Sequence, residues 1–504
     1  MGSDSPGRRG PGRQPGPLPG LTAFLAVLLI AQAALLILLM VTVMVLARRA
    51  RHADTDTDAE AGRTRRPYLG GNLTTLLAAL GFALGGLLAA VINFGVTRLL
   101  GTPEPSGFHF TPAPADALAV PWPVFAFGAA PVGLLIGALA AAIVLLVRYL
   151  RNSHAFETGK DAGPSAVAAA YVASTAGGGN GDDKAYRGNR GAIARAWAMG
   201  LIVDDVDVAT ALAVGGSLVL VLAAEIASGA DAGSAGHPSG LSNVWHGAAA
   251  LVSLIAIAVA AWLVTLLRQA YSDPAKRKTI GALWDVGTFW PRAVHPLAPP
   301  CYAERAVPEV VDRIRLLTGH FTPEPPDDIA YLKYQAGLPD LERTRGLTVP
   351  PGPVLLTGYS QGSVIAPAVI AQLPLPVLPE VALLTLACPA RRLYGRAFPA
   401  YFGQRQLTEL ASLLDAKTPG QEPVPGRWKN LRRRSDYIGS WIFEEPEQRL
   451  DDAYLQDHID QPCQDPVILV QDLNPSPPPT HRHSQWWQDP RVNEIGKYLV
   501  SLFP

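Results

Sequence analysis

The stretch PVLLTGYSQGSVIA, residues 353–366, puts a serine between two glycines directly after an apolar run. Gly358 and Gly362 flank Ser360 at the spacing G-x-S-x-G. Small residues on either side let a strand turn sharply into a helix, which exposes the turning hydroxyl above a sheet. The pentapeptide also arises by chance, so the rest of the chain must supply a base, an acid and a sheet.

Working outward, "PVLLTGY" reads as a strand and "GSVIAPAVIAQL" as the helix after it, with Pro367 placed to kink that helix. "VALLTLA" (381–387) reads as the next strand. "QRQLTELASLLD" reads as a helix with Leu407, Leu410 and Leu414 on one face. A short strand in "RWKNLRRRSD", another in "PVILVQDL" (466–473) and a last helix in "VNEIGKYLVSLF" complete the pattern. Strands alternating with helices predict a mostly parallel sheet covered on both faces.

A serine nucleophile needs an imidazole to take its proton and a carboxylate to hold that imidazole, in the chain order serine, acid, histidine. Asp436 follows the strand after next from Ser360, with Asp465 and Asp472 as substitutes. "THRHSQWWQDP" offers His483 and, alternatively, His481. The backbone N–H of Gln361 is one candidate oxyanion donor, and the loop around Thr288 in "DVGTFWPR" is a second. Asp436 has a rival role, pairing with Arg432–Arg434, a basic run that otherwise reads as solvated surface or as a contact to anionic head groups. His481 and His483 lack an accompanying carboxylate or cysteine cluster, so neither a metal nor another cofactor is expected.

The first half of the chain is different. Of 504 residues, 49% are hydrophobic and only 17% charged, and the apolar excess lies before residue 270. Lysine plus arginine balances aspartate plus glutamate, 42 against 42, which gives no reason to expect nucleic acid as a partner. Cys301, Cys388 and Cys463 form no CxxC pair and read as idle or buried thiols.

Five stretches reach the roughly 20 residues needed to cross a bilayer: Leu21–Ala47, Leu73–Leu100, Val120–Val147, Val208–Ile226 and Ala248–Leu267. Their apolar character continues around the helix, which argues for lipid as the surrounding partner. Arginines follow the first and third stretches, whereas 101–119 and 228–244 contain no lysine or arginine. That alternation predicts a multi-pass inner-membrane protein with everything after Arg268 in the cytoplasm, against which stand Arg8, Arg9 and Arg13 in the opposite tail. Glycine pairs Gly81/Gly85 and Gly133/Gly137 suit either close helix packing or lipid-facing filler.

The domain expectation is a disordered tail over 1–20, a five-helix membrane region over 21–268 with a cytoplasmic loop around 151–200, and an α/β domain over 279–504. Within the loop, "GAIARAWAMGLI" reads as an amphipathic helix on the membrane surface or as a plain loop helix. "DTDTDAE" from Asp54 has alanine and arginine where a calcium loop needs glycine and glutamate, and reads as an acidic linker. "GGGNGDDK" (177–184) lacks a phosphate-loop ending and reads as a flexible linker.

"GYSQGS" resembles the nucleophile elbow of cutinase-like and related lipase-like α/β hydrolases. Together with "LWDVGTFWPRAVHPLAPPCYAERAVPE", "NLRRRSDYIG" and "HRHSQWWQDP", it resembles actinobacterial membrane proteins that fuse transmembrane helices to such a domain. The resemblance implies a membrane-anchored serine hydrolase of α/β-hydrolase type, with Ser360 as nucleophile, Asp436 as acid and His483 as base. It implies an ester, possibly lipid, as substrate. A membrane scaffold or signalling protein that keeps the fold as a binding module is the rival reading.

Overall fold

The computed structural model describes residues 21–53, 73–100, 103–104, 118–119, 130–158, 184–233, 265, 303–320, 350–415, 426–443, 451–463, 465 and 480–503. The chain divides into two compact units. One comprises 1–58, 68–145 and 206–277; the other comprises 59–67, 146–205 and 278–504. The segment expected as a loop around 151–200 therefore groups with the α/β unit.

The first unit is helical. Helices α1 (Leu21–Ala53) and α2 (Leu73–Leu100) cover the first two apolar stretches. The opening half of α3 (Ala130–Thr158) and the later α5 (Val206–Gly233) cover the third and fourth. Two two-residue strands, β1 (Pro103–Glu104) and β2 (Leu118–Ala119), pair in parallel. Two helical stretches, Val132–Thr158 and Gly191–Ala223, are long and apolar enough to cross a membrane. The fifth stretch, the tail, the Asp54 linker and most of the glycine linker lie outside the described residues. Large apolar side chains face outward along α3, Leu135 at 71% exposure, as suits a helix solvated by lipid.

Glycine sorts the helix contacts. A Cβ on Gly133 would lie 2.6 Å from the Gly216 carbonyl oxygen, and one on Gly137 would lie 2.3 Å from that of Leu212. Here α3 and α5 approach backbone to backbone, which only a residue without a side chain permits. Among the described residues, nothing lies within 4 Å of a Cβ on Gly81 or Gly85.

The second unit is built on a four-stranded parallel sheet of order β3 (Val354–Tyr359), β4 (Val381–Leu386), β5 (Trp428–Arg432), β6 (Asp460–Pro462). Parallel neighbours need crossover connections, which are helical between β3, β4 and β5. Along β4, Val381 and Leu383 point to one face and Ala382, Leu384 and Leu386 to the other. The first face is covered by α6 (Ala303–Leu317), α7 (Gly362–Ile370) and α9 (Gln404–Leu414), which follows the single turn α8 (Pro399–Phe402). Leu407, Leu410 and Leu414 are the buried stripe of α9, as their spacing predicts. The second face receives α11 (Pro490–Ser501) through Val492, Ile495 and Leu499. The short α10 (Asp452–Asp457) leads into β6, a strand the apolar pattern does not reveal because it reads Asp-Gln-Pro. The run 466–473 lies outside the described residues.

Pro367 sits inside α7 without ending it. A proline cannot donate to the carbonyl four residues back, here Ser363. That oxygen instead accepts from the buried Cys388 thiol at 3.5 Å. Burial pushes the Cys388 pKa up to about 11, which keeps its proton for that bond. Cys463 is buried as well, and Cys301 lies outside the described residues.

The remaining helix, α4 (Lys184–Gly200), is followed by a 3₁₀ turn at Ile202–Asp205. One face of it is buried in the protein. Ile193, Ala194, Ala196, Trp197 and Ala198 are buried, and Trp197 meets Phe156 edge-on at 5.8 Å. Asp205 pairs with Arg148.

Replacing Gly137 by alanine should lower stability by roughly 1–3 kcal/mol, the usual cost of overpacking. Gly81→Ala should be neutral or slightly stabilising, since alanine is the better helix former. Thermal unfolding of both variants in detergent checks the contrast.

Candidate active site

The turn from β3 into α7 is where Ser360 sits. Its amide donates to the Leu386 carbonyl at 3.0 Å, one step beyond the β3–β4 ladder, and its φ of +53° is left-handed. A non-glycine residue in that region carries strain, which the surrounding bonds must hold. Its own carbonyl accepts from the Ser363 amide and from the Ser363 hydroxyl.

The two flanking glycines are not equivalent. A Cβ on Gly358 would lie 2.5 Å from the Gly362 carbonyl oxygen and 2.7 Å from the Ser363 Cα. Strand and helix therefore cross at van der Waals contact. A Cβ on Gly362 would meet nothing within 4 Å. Gly358 is demanded by the close approach; Gly362 is not.

His483 reaches this turn from a loop with two further left-handed residues, Arg482 at φ +52° and Gln485 at φ +57°. Its Nε2 lies 2.9 Å from the Ser360 hydroxyl, and its Nδ1 lies 2.9 Å from Asp436 Oδ1. The imidazole with the proton on Nδ1 donates to the carboxylate and accepts from the serine, the tautomer that a general base requires. Tyr359 fixes the histidine backbone: its hydroxyl donates to the His483 carbonyl at 2.6 Å while its ring stacks on the imidazole at 5.5 Å. Burial raises the Tyr359 pKa and keeps that hydroxyl protonated. The ring edge of Tyr437 and the exposed Trp487, 59% accessible, complete an aromatic rim.

Asp436 lies four residues past β5 and is fully buried. Besides His483, its Oδ1 accepts from the amides of Ile438 and Gly439, both at 2.8 Å. This is an aspartate gripping the turn it starts. Gly439 belongs to the device, because a Cβ there would strike the Ala387 Cα at 2.5 Å and Asp436 Oδ2 at 2.8 Å. The Asp-x-x-Gly spacing was the sequence signal for this turn.

The alternative assignments go elsewhere. Asp465 is buried, and its Oδ2 accepts from the Ser435 amide at 2.5 Å; burial raises its pKa. It supports the acid loop one residue before Asp436 and does not bond the imidazole. His481 has its pKa lowered by burial first and by Arg433 second, and it makes no bond to Ser360. Gln361 occupies the N-cap of α7, beside the nucleophile. Thr288 and Asp472 lie outside the described residues.

The arginine run is not a solvated surface. Each guanidinium lies over a different tryptophan ring: Arg432 over Trp441 at 4.0 Å, Arg433 over Trp486 at 4.1 Å and Arg434 over Trp197 at 5.1 Å. Arg433 is fully buried. It pairs with Asp489 at 2.8 Å and donates to the Ser484 carbonyl at 2.7 Å. Asp489 in turn caps α11. Arg433 thus clamps the loop that carries His483 to the loop that carries Asp436, and Trp486 is a stacking partner in that clamp.

Comparison with family models, with curated proteins and with solved structures returns no match, so the reading of the site rests on its own geometry. Among the described residues no group of three or more histidine, cysteine, aspartate or glutamate side chains could hold a metal ion.

Gly358→Ala should displace the serine turn, with a stability loss of roughly 1–3 kcal/mol, whereas Gly362→Ala should match wild type. Chemical denaturation of the two variants tests the asymmetry. Asp436→Asn should cost about 10⁴ in kcat by stranding the wrong histidine tautomer. Asp465→Asn should cost only a few-fold; the larger loss falling on Asp465→Asn in a steady-state ester assay would reverse the two roles.

Proposed function

We propose that this chain is a membrane-anchored serine hydrolase of α/β-hydrolase type that cleaves a carboxylic ester, with lipid esters a natural class at such a location. The observation that carries the reading is the relay Asp436–His483–Ser360, with both bonds at 2.9 Å, closing on a serine held at a left-handed turn. Nucleophile and acid follow β3 and β5 of one parallel sheet, at the same end of the strands, and the base comes from the loop ahead of α11.

In that mechanism the Ser360 hydroxyl attacks the ester carbonyl as His483 Nε2 takes its proton. Asp436 keeps the imidazole oriented and stabilises the imidazolium. The Gln361 amide donates to the developing oxyanion. Collapse expels the alcohol, protonated by His483, and leaves an acyl group on Ser360. Water then repeats the sequence to release the acid.

Five spans with the catalytic unit in the cytoplasm are the arrangement we propose for the anchor. The alternation of basic and charge-free connections supports it, as do α1, α2, α3 and α5 over four of the five apolar stretches.

A fluorophosphonate should label the wild-type protein, and Ser360→Ala should abolish the label. Ser360→Ala and His483→Ala should each reduce kcat on a short ester by on the order of 10⁶, since the two act as a unit. Absence of label on folded wild-type protein would favour a non-catalytic binding module.

A further inference from the structure

Resting on the hydrolase reading, we infer that Asp204 and Arg392 are positioning residues for Asp436. Arg392 stands in a π-helical turn after β4 (Ala390–Gly395) and is buried. Its Nη1 donates to the carbonyls of Asp436 and Gly439, each at 3.0 Å. These are the two ends of the turn whose amides grip the acid's Oδ1. One guanidinium nitrogen therefore ties that turn shut from behind, on atoms that carry no chemistry themselves.

A guanidinium so buried needs a counter-charge, and Asp204 supplies it. Arg392 Nη2 donates to Asp204 Oδ2 at 3.1 Å, and Nε lies 2.9 Å from Oδ1 as an ion-pair contact. A hydrogen bond to a charged partner is stronger than a neutral one. The Asp204 carbonyl accepts from Arg396 at 3.1 Å, which locks the 3₁₀ turn that presents the carboxylate. The same segment reaches the acid loop a second time. A Cβ on Gly200 would lie 2.5 Å from the Arg434 carbonyl oxygen and 3.4 Å from that of Asp436. Trp197, one turn earlier, takes the Arg434 guanidinium on its ring.

The segment Lys184–Asp205 is thus part of the site's support, although it precedes Ser360 by more than 150 residues. Asp204 bonds neither Ser360 nor His483; it works through Arg392. It also lies two residues before Val206, where the apolar helix α5 begins, so the alignment of the acid is set by the last residues ahead of that helix.

The test uses the full-length protein in detergent, with p-nitrophenyl butyrate as substrate and fluorophosphonate titration to count reactive Ser360. Asp204→Asn should lower kcat per titrated site by roughly tenfold to a hundredfold with KM unchanged, as a misaligned acid does. Asp204→Glu should recover most of it. Arg392→Lys keeps the charge balance but cannot reach both carbonyls and the carboxylate at once; it should show the same loss and serves as the second variant if Asp204→Asn fails to fold. Wild-type kcat per titrated site in the variants that fold would overturn this inference and leave the hydrolase reading intact. A wild type that takes no label would overturn both.

Discussion

The carboxylate of Asp436 has no contact with solvent, and the architecture around it follows from that burial. An isolated buried charge costs several kcal/mol unless hydrogen bonds and opposite charge replace its water. Oδ1 receives three N–H donors, from Ile438, Gly439 and His483. Two of these come from the acid's own turn, so the turn must close, and it closes because Arg392 bonds the carbonyls at both its ends. Gly439 follows from the same demand, since a side chain there would strike the end of β4 and the carboxylate itself.

Every cation brought in to serve this loop is then itself a buried charge. The chain answers with two devices used together. Arg433 has Asp489 and Arg392 has Asp204 as counter-charges, while Arg432, Arg433 and Arg434 each lie over a tryptophan face. A guanidinium is weakly hydrated and planar, so an aromatic face replaces its water better than it would for lysine. Removing either member of such a buried pair leaves the other uncompensated, at a typical cost of about 3–5 kcal/mol. Arg433 also couples the two loops on which the proton relay depends, which makes its pairing a matter of alignment as much as of stability.

What was legible in the sequence is what is local. Ser360 could be read because a strand, a tight turn and a helix announce themselves within fourteen residues, and the two glycines mark the crossing. Asp436 could be read from chain order and its place after a strand, and His483 from chain order and its place near the carboxyl end. The arginine run was misread as surface because its tryptophans lie at 197, 441 and 486, and no periodicity within the run betrays partners so distant. The docking of α4 was hidden for a similar reason. An alanine-rich amphipathic face looks alike whether it meets a membrane or a protein, so the approach of Gly200 to the Arg434 carbonyl could not be read from it. Gly81/Gly85 and Gly133/Gly137 have the same spacing, yet among the described residues the second pair alone lies in a close contact.

The two parts of the site differ in how far along the chain their contacts reach. The serine turn needs only β3, α7 and the end of β4, because its bonds run to Leu386 and Ser363. The acid loop draws on five separate parts of the chain: Asp204 by way of Arg392, Ala387 against Gly439, Asp460 under the amides of Ile442 and Phe443, Asp465 on Ser435, and Asp489 on Arg433. Contacts of high sequence separation form only after the loops between them have closed, and each closure costs entropy. The strained backbone of Ser360 is therefore held by the sheet and its first helix, whereas the acid loop is held by segments distant in sequence. Strain at Ser360 is carried by short-range structure that can bear it; the contacts behind the Asp436 turn reach residues as distant in sequence as Asp204.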